Sequence, residues 1–223
     1  LGTLLSNAPI SLPPGGSYDH IVSNTAMATV TNTATWTGAD SAGGFAVNDT
    51  IPYNFEDISG TGTAVPLGDD EVSLALPMGF TFDYFGVNYT DAYISSNGFL
   101  TFLPGQSNGC CSGQPIPTAG SPDAIIAAWW EDLYPPGGGS IQYQTLGVAP
   151  NRYFIAQYTN LPHFSSGNPV TMQVKLFEGT NVIEVHYQDA PSDSGTHSAG
   201  VENETGTVGV QYVLQSTGLV TPL

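Results

Sequence analysis

Residues 77–102 read PMGFTFDYFGVNYTDAYISSNGFLTF and hold apolar segments with strand periodicity around tight turns. Three aromatic side chains stand two residues apart and share one face of a strand, namely Phe80, Phe82 and Tyr84. Asn97-Gly98 separates two further apolar segments. This dipeptide is typical of type I′ hairpin turns, in which both central residues have positive φ. The stretch therefore predicts a hairpin with its tip at Asn97-Gly98, where Asn97 serves only as a turn residue.

Strand-like segments separated by turn residues continue along the chain. The 27 glycines and 17 prolines interrupt it at short intervals, and no long apolar stripe with a 3.6-residue period is present. Residues 124–130, AIIAAWW, form a continuous apolar run, as expected for a central strand buried on both faces. The sequence predicts an all-β protein, an antiparallel β-sandwich of jelly-roll or Ig-like type preceded by an N-terminal β-arm.

The charge balance restricts the partners. The 223 residues include 2 Lys or Arg against 19 Asp or Glu, a formal net charge of −17. Nucleic acid and anionic membranes both require basic patches, so neither is expected as a partner. No apolar run reaches the ~18 residues of a membrane span, so no membrane insertion is expected. Because the chain begins at Leu1 without a signal-peptide pattern, we expect a processed mature form or an excised fragment.

An extracellular or cell-surface location is predicted from two further features, the scarcity of lysine and three Asn-x-Ser/Thr sequons. The sequons predict glycosylation at Asn48, Asn88 and Asn203. The two cysteines, Cys110 and Cys111, are adjacent. Neighbouring Cα atoms lie ~3.8 Å apart across a trans peptide, below the usual disulfide range, so an ordinary loop-closing disulfide within the chain is excluded. Free thiols, a vicinal disulfide and an inter-chain disulfide remain as alternatives.

The N-terminal segment carries a first resemblance. The sequences SLPPGGSYDH and ATVTNTATWTG, within residues 10–38, resemble the last strands of Ig-like repeats from bacterial and archaeal cell surfaces. Such a repeat needs about seven strands, and only its end is present here. The incomplete piece would expose an apolar face and an unpaired edge. It is therefore expected to be a fragment of a longer protein, to fold onto the following domain, or to complete a neighbouring subunit by strand addition.

We accordingly divide the chain into an N-terminal arm (1–38), a linker (39–50) and a β-sandwich domain (51–223). The residues predicted to mediate assembly through the arm are Leu4, Leu5, Ile10, Leu12, Val30 and Trp36. They predict a homo-oligomer or polymer built by strand exchange of the arm.

Residues 53–212 carry a second resemblance. The pieces LPMGFTFDYFGVNYTDAYISSNGFLTF, AIIAAWWEDL, GSIQYQTLGVAPNRYFIAQY and VKLFEGTNVIEVHY resemble a β-sandwich module of secreted prokaryotic proteins, related in pattern to nidogen-like extracellular domains. The resemblance implies surface display, adhesion, or an accessory module beside a secreted hydrolase. This chain departs from it in two ways: the loop cysteine, which often has a distant partner in relatives, has only its neighbour, and a final strand after the tail is not evident.

No catalytic motif is recognisable. His-x-x-x-His and Glu-x-x-His are absent. Residues 105–109, GQSNG, match Gly-x-Ser-x-Gly by letter but lie in a long Pro/Gly/Ser loop, so they are not the strand-to-helix elbow of a serine hydrolase, and we expect no enzyme activity. Acidic residues cluster at predicted strand ends, where carboxylates and loop carbonyls suit calcium. We expect solvated loop acids and no cofactor, with calcium as the alternative. Its predicted ligands are Asp69, Asp70, Glu71 and Asp132.

Exposed aromatic residues would suit a sugar-binding platform, with Trp36, Tyr134, Tyr158 and Phe164 as candidates and core packing as the alternative. The leading prediction is an extracellular structural protein, a cell-surface or filament-forming subunit that assembles by strand exchange. The alternative is a carbohydrate-binding or adhesive module of a larger secreted protein or hydrolase, with glycans as partners.

Overall fold

The computed structural model describes residues 32–37 (backbone only), 44–191 and 193–215, with the side chain of residue 215 omitted. Within these ranges the regular structure is β, apart from a 3-10 turn at Pro135–Gly137. The strands are β1 Asn32–Thr37, β2 Ala46–Asn48, β3 Thr63–Ala64, β4 Leu76–Tyr84, β5 Val87–Ile94, β6 Phe99–Thr101, β7 Ile125–Trp130, β8 Ser140–Leu146, β9 Tyr153–Pro162, β10 Pro169–Phe177, β11 Ile183–Asp189, β12 His197–Glu202 and β13 Gly209–Gln215.

Two antiparallel sheets form a sandwich, as predicted. One sheet has the order β2-β1-β11-β10-β9-β8-β3, and the other has the order β13-β12-β7-β6-β5-β4. Strand β4 shows how the alternation builds the core, because every second side chain is buried and those between face outward. Its buried side chains are Met78, Phe80, Phe82 and Tyr84. The aromatic face predicted from the sequence is therefore confirmed.

The hairpin at Asn97-Gly98 is confirmed, but its predicted turn type is wrong. Strands β5 and β6 are joined by four residues, and the Ser95 amide donates to the Phe99 carbonyl oxygen (2.9 Å). Of the two turn residues only Gly98 has positive φ (79°). The turn with positive φ at both central residues lies between β4 and β5, at Phe85-Gly86 (φ 52° and 80°). A four-residue connection does not need the I′ geometry that a two-residue connection imposes.

Strand β7 is buried along its whole length, as predicted. A β-bulge interrupts its pleat, because the amides of Ala128 and Trp129 both donate to the Gly98 carbonyl oxygen (3.2 and 3.0 Å). As a result the consecutive side chains of Ala128 and Trp129 both enter the main core, and Trp130 lies in a second, smaller cluster. That cluster, completed by Ile116 from the loop between β6 and β7, covers the outer face of the strand.

The outer face of the seven-stranded sheet is crossed by residues 53–58. Buried side-chain amides hold the backbone of this segment: Gln157 Oε1 accepts from the Ile58 amide (2.9 Å), and Gln173 bonds both the amide and the carbonyl of Glu56 (3.1 and 2.7 Å). The Lys175 ammonium donates to the Asn54 carbonyl oxygen (2.7 Å). Buried polar groups on this face therefore find partners in a chain segment rather than in water.

Strand β1 belongs to the predicted arm, and strand β2 to the predicted linker. Both lie in the seven-stranded sheet of their own chain, with Trp36 opposite Ile183 of β11 and Val47 of β2. Residues 32–37 thus follow the alternative in which the arm folds onto the following domain. The remaining assembly residues, Leu4, Leu5, Ile10, Leu12 and Val30, lie outside the described residues, and assembly through them stays a prediction.

Gly98→Ala tests the close approach between the β5–β6 turn and β7. A Cβ at Gly98 would meet the backbone of Trp129, whereas a Cβ at Gly86, which has nearly the same φ, meets nothing within 4 Å. Both substitutions place an alanine in the left-handed region of the backbone, which destabilises the folded state by about 1–2 kcal/mol. Only Gly98→Ala adds a backbone clash, which should cost roughly 2 kcal/mol more. Urea unfolding measures both losses, and equal losses would contradict the packing described.

Candidate functional site

Asn97 organises one end of the sandwich. Its side chain is fully buried, and its Oδ1 accepts from the Leu133 amide (3.1 Å). Its Nδ2 donates to Asp70 Oδ1 (2.8 Å) and to the Asn108 carbonyl oxygen (3.2 Å). One amide therefore connects the loops before β4, after β6 and after β7. The interpretation of Asn97 as a turn residue alone is wrong, because a buried amide must satisfy both its donor and its acceptor.

The loop end gathers two of the four predicted calcium ligands. Asp70 and Asp132 each present a carboxylate oxygen, and these oxygens and the Cys110 and Cys111 sulfurs all lie within 4.8 Å of one another. Burial raises the pKa of Asp132, and the negative charges of Asp70, Asp69 and then Asp193 raise it further. Asp69 is thus an electrostatic neighbour, although it is not one of the grouped side chains.

Glu71 turns away from this group, since its Oε2 accepts from the Gly68 amide (2.6 Å) of its own loop. Calcium binding therefore stays a prediction that rests on Asp70 and Asp132. The sulfurs of Cys110 and Cys111 are bonded to each other across a cis peptide bond, and both residues are exposed.

A second group of titratable side chains lies deeper, beneath the acidic loops. Glu131 follows β7, His163 follows β9 and Asp193 precedes β12, and one ligand atom of each lies within 4.8 Å of the others. Glu131 Oε2 is 3.0 Å from His163 Nε2 and accepts from Trp129 Nε1 (3.0 Å). The ring of His197 stacks on Trp129, with ring centroids 3.9 Å apart.

The environment separates the pKa values within this group. Burial raises the pKa of Glu131, a rise that the bond to His163 opposes and Asp193 increases. Burial lowers the pKa of His163, but the bonds to Glu131 and to the Asn168 carbonyl oxygen reverse this and leave it raised. For Asp193, hydrogen bonds outweigh the effect of burial and lower the pKa. Burial, with a contribution from His163, lowers the pKa of His197 to about 4, so that ring is neutral at neutral pH.

Sequence reasoning missed this buried group. None of Glu131, His163 and Asp193 is among the site residues predicted from the sequence. The three residues are about thirty positions apart in the chain and follow no ligand spacing of the kind expected for structural zinc. The one available signal was that each stands next to a strand, where loops at the same end of a sandwich meet.

The predicted aromatic candidates divide into three cases. Phe164 is 55% exposed and lies against Tyr134 edge to face, with ring centroids 5.1 Å apart. Tyr158 is fully buried and donates to the Ser95 carbonyl oxygen (2.9 Å), so it follows the alternative of core packing. The side chain of Trp36 lies outside the described residues. Among those candidates whose side chains are described, Tyr134 and Phe164 form a surface pair, and we refer to them as the aromatic pair.

The three sequons differ in their surroundings. Asn48 and Asn88 are exposed, the first at the end of β2 and the second within β5. Asn203 is partly buried, and its Oδ1 accepts from the amides of Thr207 and Val208 (2.9 and 3.1 Å) within the β12–β13 turn. Glycosylation at all three sites stays a prediction.

A buried carboxyl lies where the β12–β13 hairpin meets the loop that covers β7. Glu202 is fully buried, and its Oε2 accepts from the Thr118 amide (2.9 Å). Its Oε1 and Asp123 Oδ1 have no hydrogen-bond partner within the described part of the chain. Burial raises the pKa of Glu202 to about 7, with Thr118 opposing the rise and Asp123 adding to it.

A family model described as NIDO-related matches residues 44–221. The match covers well over half of the chain and includes every strand except β1. No solved structure matches the chain. Across the described ranges, no helix has the length and apolar character needed to cross a membrane.

Glu202→Gln tests the pH dependence that this buried carboxyl imposes. Because its folded pKa lies above the unfolded value of 4.5, its proton stabilises the folded state below pH 4.5, and that stabilisation is lost as pH rises through about 7. The loss amounts to about 3 kcal/mol at pH 8. We expect Glu202→Gln to flatten the stability profile between pH 4.5 and 8 by this amount.

Denaturant unfolding at several pH values provides the measurement, with Glu204→Gln as control, because Glu204 is exposed in the same hairpin. Parallel stability profiles for the two variants would show that Glu202 does not titrate as described.

Proposed function

This chain belongs to the NIDO-related family, and from that premise we propose that it is an extracellular adhesive module that binds neutral glycans at the loop end of its sandwich. NIDO-related domains are typical of extracellular proteins. The proposal adopts the carbohydrate-binding alternative of the sequence analysis.

The observation that carries the proposal is the aromatic pair, in which Phe164 is 55% exposed and Tyr134 is partly buried, beside a group of carboxylates. The amide of Phe164 donates to the Asp132 carbonyl oxygen (2.9 Å), which fixes the aromatic pair next to the acidic loops. A sugar presents apolar C–H faces and a rim of hydroxyl groups. The aromatic rings would stack against the C–H faces, and the carboxylates of Asp70 and Asp132 would accept hydrogen bonds from the hydroxyl groups.

Charge selects among glycans. The chain carries a formal net charge of −17, and both of its lysine and arginine side chains are engaged away from the loop end. Arg152 pairs with Glu178, and Lys175 lies near Glu56 and Tyr153. Sialylated or sulfated glycans would therefore be repelled at long range, whereas neutral glycans would not.

The strand-exchange hypothesis remains as a second candidate because of one feature of β1. This strand precedes the region matched by the family model, yet it occupies an interior position between β2 and β11. Because β1 lies outside the family domain, the β1 of a neighbouring copy would be able to pair with β11 in the same register as the chain's own β1.

Phe164→Ala tests the glycan proposal. The substitution removes the more exposed ring of the aromatic pair, and we expect at least about tenfold weaker binding of whichever neutral glycan the wild type selects on a glycan array. Isothermal titration with that glycan provides the measurement. Val148→Ala, which trims an 81% exposed side chain between β8 and β9, is the matched control and should bind normally. Wild-type protein that binds no neutral glycan would refute the proposal.

A cross-link tests strand exchange. Ala34 of β1 faces Val185 of β11, so cysteines at these two positions would oxidise to a disulfide. Strand exchange predicts covalent oligomers on a non-reducing gel and a polymer or oligomer by light scattering. A cross-linked monomer alone would contradict it, and single-cysteine variants control for disulfides formed by Cys110 and Cys111.

A further inference from the structure

The buried group formed by Glu131, His163 and Asp193 has the composition of a metal site. It offers two carboxylate oxygens and one imidazole nitrogen, supplied by three separate loops and gathered within 4.8 Å. Glu131 is 2% exposed and His163 is 1% exposed. These groups are thus largely removed from water, where an unpaired charge is costly.

One carboxylate oxygen in this group lacks a donor. Among the described residues, Glu131 Oε1 has no hydrogen-bond partner although it is buried. It points towards Gly195, where an added Cβ would lie within 3 Å of both Glu131 Oε1 and Asp193 Oδ1. The two carboxylate oxygens thus occupy the space that a side chain at this position would need. Two carboxylate oxygens that share such a space need either a proton or a cation between them.

The histidine is oriented as a ligand would be. His163 Nδ1 lies 2.6 Å from the Asn168 carbonyl oxygen, which accepts only, so Nδ1 carries the proton of that bond. In the neutral ring Nε2 is then the unprotonated nitrogen, which lies 3.0 Å from Glu131 Oε2 and accepts from Trp129 Nε1 (3.2 Å). A metal ion bound at Nε2 would leave this indole N–H to Glu131 Oε2, which it also reaches. A metal-binding histidine typically donates its other ring N–H to a carbonyl in this way. Trp129 Nε1 in turn donates to Glu131 Oε2 and holds that carboxylate in place.

No lysine or arginine side chain neutralises the two carboxylates. The chain contains one lysine and one arginine, and these are engaged with Glu56 and Glu178. His197, which lies 3.8 Å from Glu131 Oε2, stacks on Trp129 as a largely buried ring. A divalent cation would balance the charges of Glu131 and Asp193, whereas a proton on His163 balances only one of them.

We propose that Glu131, His163 and Asp193 bind one divalent transition-metal ion of the zinc class. Imidazole nitrogen together with carboxylate oxygen favours Zn²⁺ over Ca²⁺, which takes oxygen ligands. Three protein ligands leave further positions for water. The bound ion joins the loops that follow β7 and β9 and precede β12, and so it supports the aromatic pair from below. This site is separate from the calcium prediction at Asp70 and Asp132.

The test uses the full chain, stripped of metal with a chelating resin and titrated with Zn²⁺. We expect one Zn²⁺ per chain by calorimetry and by elemental analysis after desalting. At 100 times the dissociation constant, Zn²⁺ should raise Tm by about 5–10 °C. Ca²⁺ at the same concentration should not displace the bound Zn²⁺, because the imidazole nitrogen favours Zn²⁺. Glu131→Gln, Asp193→Asn and His163→Gln should each weaken Zn²⁺ binding at least tenfold.

His186→Gln is the matched control. His186 and Glu184 form a histidine–carboxylate pair outside this group, with Nε2 and Oε2 2.9 Å apart, and they belong to no group of three ligands found among the described residues. This variant should bind Zn²⁺ as the wild type does. Circular dichroism establishes that each variant is folded, and Co²⁺ absorption bands report the ligand field in any variant of reduced stability. The proposal would be overturned if the folded wild type binds no Zn²⁺. It would also be overturned if His186→Gln weakens Zn²⁺ binding as much as the substitutions at Glu131, His163 and Asp193 do.

Discussion

The contact between the β5–β6 turn and strand β7 is the constraint on which the rest of the structure depends. Gly98 lies so close to the Trp129 backbone that no side chain fits between them, and its carbonyl oxygen accepts two consecutive amides of β7. The resulting bulge turns Trp129 into the main core, where its indole N–H reaches Glu131. A backbone contact in the middle of a sheet therefore determines where the first residue of the buried polar group lies.

The same turn connects the surface loops to the core. The side-chain amide of Asn97, next to Gly98, forms hydrogen bonds with three different loops. Two layers result at this end of the sandwich. The outer layer presents Asp70, Asp132 and the aromatic pair, and the inner layer holds Glu131, His163 and Asp193. In our account, recognition belongs to the outer layer and metal binding to the inner one, and both depend on the position of the turn.

The sequence predicts those features of the fold that depend on which side chains of a strand are apolar. The aromatic face of β4, the burial of β7 and the sandwich of two sheets follow from alternation and from continuous apolar runs. Alternation does not show which loops meet, so it predicts Asn97 only as a turn residue and does not indicate that His163 lies beside Glu131. Tyr158 illustrates the same limit, because its hydroxyl finds a backbone acceptor inside the core that no local pattern reveals.

The central claim, that the buried amide of Asn97 holds the loop end together, is tested most directly by hydrogen exchange on Asn97→Ala and wild type. The wild-type Leu133 amide should exchange as slowly as the amides of β7, since it donates to Asn97 Oδ1. In the variant, protection should fall at Leu133 and across residues 68–71, 107–111 and 131–134, while the amides of β9 and β10 stay protected. Equal protection at Leu133 in both proteins would contradict the account.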